Sequence, residues 1–232
     1  MNEILLFLIA AVSAAFVVTA WRLGKERLYS VIIIFLILIA VAGGKIVAFF
    51  GFETNTGNIF YASVFLATYF LIERHGKREG IRSIWIGIIG VAFFSVLAIL
   101  TGFLTGSQST GEVNDALTVA FQATPRIAFA SLIAYALSQA LNVYIYIYLK
   151  QRFSGHHFWA RANAAIVAAQ VLDSVVFFIV GFWGVVALGD VMGVMLTGFV
   201  IKVVYMMLAS PVLYLNRVEH EEGKDFSAVS MR

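Results

Sequence analysis

The 232-residue chain contains no cysteine, which excludes a disulfide, a thiol nucleophile, a haem-attachment pair and an iron–sulfur site. Charge is nearly as scarce: Asp, Glu, Lys and Arg together make up 12% of the residues, where an ordinary soluble domain has about 25%. No Gly-rich loop ends in Gly-Lys-Ser or Gly-Lys-Thr, so the chain carries no phosphate-binding loop with which to power ATP-driven uptake itself. Histidine is absent from every long hydrophobic run. His75, His156, His157 and His220 all fall between or after them, which rules out a buried Ser–His pair or a histidine metal site inside a membrane. The adjacent pair His156-His157 has no carboxylate near it in sequence and reads as two solvated loop residues.

What is present is apolar. Hydrophobic residues reach 61% and mean hydropathy is +0.92. Seven stretches are long enough for the roughly 20 helical residues that cross a bilayer core of about 30 Å. They lie near residues 4–20, 29–51, 58–73, 83–104, 125–149, 160–183 and 190–214. The expected fold is therefore all-α: a polytopic membrane protein in one transporter domain spanning 1–232. The first stretch is followed, not preceded, by basic residues, so it reads as a retained span rather than a cleaved leader. Residues 105–124 open with Gly, Ser and Thr and then show a short apolar pattern that fits a brief interfacial or re-entrant helix. Thr124 and Pro125 form a cap and first-turn start signal for the fifth span.

Net charge is +3, but the basic residues are spread over alternate loops and the tail rather than gathered in one nucleic-acid-binding patch. Connections near 21–28, 74–82 and 150–159 and the tail after Asn216 carry Lys and Arg; those near 52–57, 105–124 and 184–189 carry none. This alternation predicts an amino terminus outside and a carboxyl terminus in the cytoplasm.

Of the sixteen Lys and Arg residues, thirteen read as loop or tail charges, Arg161 at the start of the sixth stretch among them, which leaves Lys45, Arg126 and Lys202 inside or at the edge of an apolar run. A charge at the bilayer centre costs roughly 2.5–3.5 kcal/mol even on the most lenient scale, which makes them functional candidates. Lys45 stands close enough to the outer end of its span to snorkel, and Arg126 could equally anchor the outer end of its helix. On the fifth span Ser131, Tyr135, Ser138, Gln139, Asn142 and Tyr146 share one arc of a 3.6-residue helix; on the sixth, Asn163, Gln170, Asp173 and Ser174 cluster likewise. Lipid cannot satisfy such groups. At 1.5 Å rise per residue, Gln139, Gln170, Asp173 and Lys202 fall at similar, midplane depth, where transporter sites are found. The serines can equally be helix-to-helix glue. Asp173 is too costly to keep for packing alone, and Lys202 is its expected partner. Glu73 sits beside Arg74 and Lys77, so an interfacial salt bridge rivals a role in binding. The paired donors and acceptors of Gln139, Asn142 and Gln170 match the edge of a guanine-like ring, and Tyr135, Tyr146, Phe177 and Phe178 could flank its faces.

Three runs carry a family resemblance: FLATYFLIERHGKREGIRSIWIG (residues 65–87), PRIAFASLIAYALSQALNVYIY (residues 125–146) and RANAAIVAAQVLDSVVFFIVGFWG (residues 161–184). In this order and spacing, together with Lys45 and Lys202, the chain resembles the queuosine precursor transporter family, also called vitamin uptake transporters, from about Gly43 to Pro211. The resemblance implies a six-helix carrier of the inner membrane that imports 7-deazaguanine bases for tRNA modification. Residues 1–27 would be an added helix and basic loop, 28–215 the core and 216–232 a cytoplasmic tail. It implies no cofactor and no metal, and it points to Lys45, Glu73, Arg126, Ser131, Gln139, Gln170, Asp173 and Lys202 as substrate-binding. Two positions depart from the family pattern: Tyr69 and Asn142 stand where many members have Asp. Either replacement can offer a dipole but no charge to the aminomethyl cation of preQ1, which favours an uncharged base such as preQ0.

Two other functions stay open on residues alone. One is a substrate-binding subunit of a multi-component importer for a vitamin-like heterocycle. The other, an intramembrane enzyme, lacks any catalytic constellation. A channel is disfavoured because the embedded charges are isolated and of mixed sign. The expected mechanism is alternating access around the midplane layer. Small residues such as Ala160, Ala164 and Ala168 permit the close helix approach that a homodimer would use.

Overall fold

The computed structural model describes residues 1–42, 45–105, 111–121, 125–153, 158–182 and 188–209. The polar tail from Asn216 and the pair His156-His157 lie outside the described residues. Among the described residues, eight helices and one hairpin follow in order: α1 (Asn2–Leu23), α2 (Lys25–Ala42), β1 (Ile46–Phe49), β2 (Phe52–Asn55), α3 (Gly57–His75), α4 (Lys77–Gly102), α5 (Gly111–Phe121), α6 (Pro125–Arg152), α7 (Phe158–Phe182) and α8 (Leu188–Ala209). Each of the seven apolar stretches contains one long helix, and six of the seven are helical over nearly their whole described length. The short α5 occupies the stretch read as a brief interfacial helix, and α6 begins at Pro125 as expected.

On length and composition alone, α1, α4, α6 and α7 are the helices among the described residues able to cross a membrane, which makes this a multi-pass membrane protein. Two of the other long helices carry charged or polar residues within them. Helix α2 opens on Lys25, Glu26 and Arg27, while α3 mixes Asn58, Ser63, Thr68 and three tyrosine-type or acidic positions into its apolar run. Helix α3 needs no lipid-facing surface: Tyr61 to Ile72 are buried without interruption. It is the central post of the bundle, packed by α1, α2, α4 and α8. A helix buried on every face can hold polar groups wherever its neighbours satisfy them. Ser63 Oγ, for example, lies 2.9 Å from the Tyr205 hydroxyl of α8.

The second stretch departs from expectation. A span over 29–51 would place Lys45 within a helix, but α2 ends at Ala42 and Lys45 lies after it, exposed. Its N–H donates to the Ala42 carbonyl and its own carbonyl accepts from Thr56 N–H, at 3.0 and 3.1 Å. Beyond it the chain folds into an antiparallel hairpin with Ile46 opposite Asn55 and Phe49 opposite Phe52. The turn residues Phe50 and Gly51 have φ of 49° and 83°. Two positive φ values in a two-residue loop match the twist of antiparallel strands, and Gly adopts the second freely. An apolar run of β-capable residues cannot be told from a helix by hydropathy alone, which is why the hairpin was not foreseen.

Helix α1 packs directly on α3 and α8. Trp21 stacks on Phe70 of α3 with centroids 4.9 Å apart, Arg74 Nη1 donates to the Trp21 carbonyl at 3.3 Å, and the Tyr205 hydroxyl of α8 donates to the Ala10 carbonyl at 3.3 Å. Where the basic connections lie, Glu79 of α4 accepts from Tyr29 of α2 and pairs with Lys25 at 3.8 Å. Helices α3 and α4 are joined there by Gly76 alone, at φ 85°.

Lipid provides no hydrophobic drive between helices, so close approach relies on small residues. A Cβ on Gly87 of α4 would stand 2.7 Å from both Leu36 Cδ1 of α2 and the Tyr135 hydroxyl of α6. Gly87→Leu is therefore expected to destabilise the protein by about 1–3 kcal/mol through overpacking. The same substitution at Gly102, with nothing within 4 Å of an added Cβ, is expected to be close to neutral. Melting temperatures of the two variants in detergent check this; equal losses would contradict the packing.

Candidate substrate site

The polar stripe of α6 and the charges of α7 and α8 meet at Asp173. Its Oδ1 accepts from the Tyr61 hydroxyl of α3 at 2.7 Å and from Ser138 Oγ of α6 at 3.4 Å; its Oδ2 faces Lys202 Nζ of α8 at 3.3 Å. The Lys202 ammonium also sits 4.4 Å from the centroid of the Tyr61 ring. Four helices thus converge on one carboxylate. Both members of the ion pair are only 13% exposed, so solvent screens them weakly and each depends on the other for compensation.

Tyr61 is the residue that sequence reasoning missed. It touches Asp173, Ser138 and Lys202, and its ring meets Tyr135 edge-on with centroids 6.3 Å apart. A signal existed: Tyr61, Phe65, Tyr69 and Glu73 recur every four residues along one face of α3. A lone tyrosine near the end of an apolar run looks like an interfacial anchor, which hid it.

About two turns further along α3, Tyr69 is wholly buried. Its hydroxyl lies 2.6 Å from Asn142 Oδ1 and 3.0 Å from the Ala162 carbonyl, donating between them. The two positions noted as departures from the family pattern therefore bond to each other. Tyr69 stacks on Tyr146 at 4.6 Å, and the Tyr146 hydroxyl donates to Glu73 Oε1 at 2.5 Å. Glu73 also pairs with Lys150 at 3.1 Å. The rival reading of Glu73 as a salt-bridge residue is correct in kind, with Lys150 as the cation instead of Arg74 or Lys77. Arg161, counted by sequence among the loop charges, is a correction: it is 2% exposed, in the first turn of α7, with its guanidinium 5.3 Å from the Tyr146 ring centroid. It is buried because α7 begins at Phe158, before the charge that seemed to lie outside.

Gln139 and Gln170 are buried at 0% and 1% exposure. Gln139 Oε1 accepts from Asn142 Nδ2 at 3.4 Å, but Gln139 Nε2 and both polar atoms of Gln170 have no hydrogen-bond partner. Such atoms cost about 1–3 kcal/mol each when left unsatisfied.

Not every candidate joins this layer. Ser131 shares the arc of the α6 stripe but is exposed near the amino-terminal end of that helix. Lys45 is exposed ahead of the hairpin. Arg126 is the second residue of α6, and its side chain lies outside the described residues. A cavity of about 690 Å³ lies elsewhere, between α1, the hairpin and α8, among Leu6, Phe7, Phe49, Phe52, Val200 and Tyr205. Its walls are apolar and several of them face outward, so it suits acyl chains and could not orient a nitrogen-rich ring. Among the described residues no three His, Asp or Glu side chains gather as metal ligands would.

Comparison with known proteins finds a family of transporters. Residues 55–216 match the family described as "Putative vitamin uptake transporter". The chain is 30% identical over 176 residues to the "Probable queuosine precursor transporter" of Bacillus subtilis (strain 168), covering 73% of this chain and 74% of that one. It is 30% identical over 138 residues to the "Queuosine precursor transporter" of Escherichia coli (strain K12), covering 59% of each. No solved structure matches. The matched span begins at the end of β2, so α1, α2 and β1 lie ahead of it.

Proposed function

Because the chain belongs to the vitamin uptake transporter family, we propose that it imports a queuosine precursor, a 7-deazaguanine base, across the cytoplasmic membrane as a carrier rather than an enzyme. The observation that carries this reading is the convergence of α3, α6, α7 and α8 on Asp173 beside the unsatisfied amides of Gln139 and Gln170. A guanine-like edge presents adjacent donors and acceptors. Gln170 supplies one of each, Gln139 a donor, and Asp173 an acceptor once Lys202 or Tyr61 yields. Tyr61, Tyr135 and Tyr69 are placed to meet the ring faces.

In this reading the seven long helices all span the membrane as one domain, with the amino terminus outside and the basic connections in the cytoplasm. Helix α1 is then an addition to a six-helix core. The described layer is closed on itself: Tyr61, Tyr69, Ser138, Gln139 and Asn142 are all buried. The Tyr69–Tyr146 stack with Glu73, Lys150 and Arg161 seals it on the cytoplasmic side, and transport proceeds by opening the two sides in turn.

Purified protein in liposomes, without ATP or partner, is expected to take up labelled 7-cyano-7-deazaguanine saturably. Uptake only after adding an ATPase partner would make the chain a binding subunit; thermal stabilisation by biotin or thiamin but by no purine analogue would overturn the substrate. Tyr61→Phe keeps the ring under Lys202 and loses only the hydroxyl. Because that hydroxyl donates to Asp173, its loss should lower stability by about 1.5–3 kcal/mol, read as a lower melting temperature; an unchanged melting temperature would contradict the bond.

A further inference from the structure

We propose that the site discriminates by charge, accepting an uncharged planar base and rejecting one that carries an ammonium group. This rests on reading the polar layer as a heterocycle site. Both oxygens of Asp173 are already engaged, Oδ1 by Tyr61 and Ser138 and Oδ2 by the Lys202 ammonium. Glu73 is held by Lys150 and the Tyr146 hydroxyl, with the Arg161 guanidinium over the same tyrosine ring. Among the described residues, then, Asp173 and Glu73 each face a lysine ammonium. The groups between the two clusters, Tyr69, Asn142 and Gln139, are neutral and bonded in series.

Among the described residues, a ligand ammonium entering this interior would meet no carboxylate without a cation already beside it. To gain one it must displace Lys202 from Asp173, and the displaced lysine would remain 4.4 Å above the Tyr61 ring, close enough to repel it. A neutral ligand needs no such exchange. The atoms left without partners, Gln139 Nε2 and Gln170 Nε2 and Oε1, are amide donors and an acceptor that pair with neutral ring edges.

Three bases that differ only at one substituent test this: 7-cyano-, 7-hydroxymethyl- and 7-aminomethyl-7-deazaguanine, of which only the last is cationic at neutral pH. Affinity is read by ligand-induced thermal shift on the purified full chain at pH 7. The cyano and hydroxymethyl bases are expected to bind at least about tenfold more tightly than the aminomethyl base. Asn142→Asp and Lys202→Met, each adding one net negative charge to the interior, are expected to narrow or invert that ratio. Equal or tighter binding of the aminomethyl base by the unaltered protein would overturn the inference. So would a hydroxymethyl base that binds as weakly as the aminomethyl one, since size and not charge would then decide. If none of the three binds, the heterocycle reading itself fails, a result distinct from loss of charge preference. The unaltered protein alone decides between these outcomes, so a variant that fails to fold does not obscure them.

Discussion

An Asp173→Asn protein no longer accumulates substrate, and it is also less stable, by about 3–5 kcal/mol, the typical cost of stripping one partner from a buried ion pair. The size follows from its surroundings. Lys202 and Asp173 are each 13% exposed, and Tyr61 and Ser138 spend their hydroxyls on the same carboxylate. Asn leaves the Lys202 charge uncompensated in a medium of low polarity. The double variant Asp173→Asn/Lys202→Met removes that charge, so stability should return to within about 1–2 kcal/mol of the parent. Uptake should not return, because the acceptor at the centre of the site is still lost. Melting temperature and liposome uptake, measured on the single and double variants, separate the two effects. A single variant that transports normally would show that the pair is helix glue.

Gln170→Met is expected to move stability and binding in opposite directions. Both side-chain polar atoms of Gln170 are buried without partners. A methionine of similar volume removes that desolvation penalty, stabilising the unliganded protein by about 1–3 kcal/mol. It also removes a donor and an acceptor from the ligand, which should cost about 10–100-fold in affinity. Such opposition is the mark of a residue kept for function against stability. If Gln170→Met instead lowered the melting temperature and left ligand response intact, the amide would be structural.

The parts of this architecture that the sequence disclosed are those where chemistry is scarce. An intramembrane Asp with one Lys at similar depth left few partners to choose from, and Asp173 and Lys202 do pair. Helix positions followed from apolar length, and α5 from a short periodic patch. Other features were hidden because composition is degenerate there. The hairpin from Ile46 to Asn55 has the hydropathy of a helix end. Arg161 resembles a loop charge until the start of α7 is fixed, and its burial against Tyr146 depends on a partner helix that sequence cannot place. Tyr61 is an ordinary residue for an apolar run, and only the crossing of α3 with α6, α7 and α8 brings it to Asp173. Conversely, Ser131 shows that sharing an arc does not ensure burial.

The most direct test of the whole account is an experimental structure of the protein bound to 7-cyano-7-deazaguanine. The account predicts density for one flat ring between α6 and α7, with polar atoms within about 3.2 Å of Gln170 and Asp173, and with Lys202 or Tyr61 shifted from its present contact. Density instead in the apolar cavity between α1 and α8, with the Asp173 cluster unchanged, would contradict it.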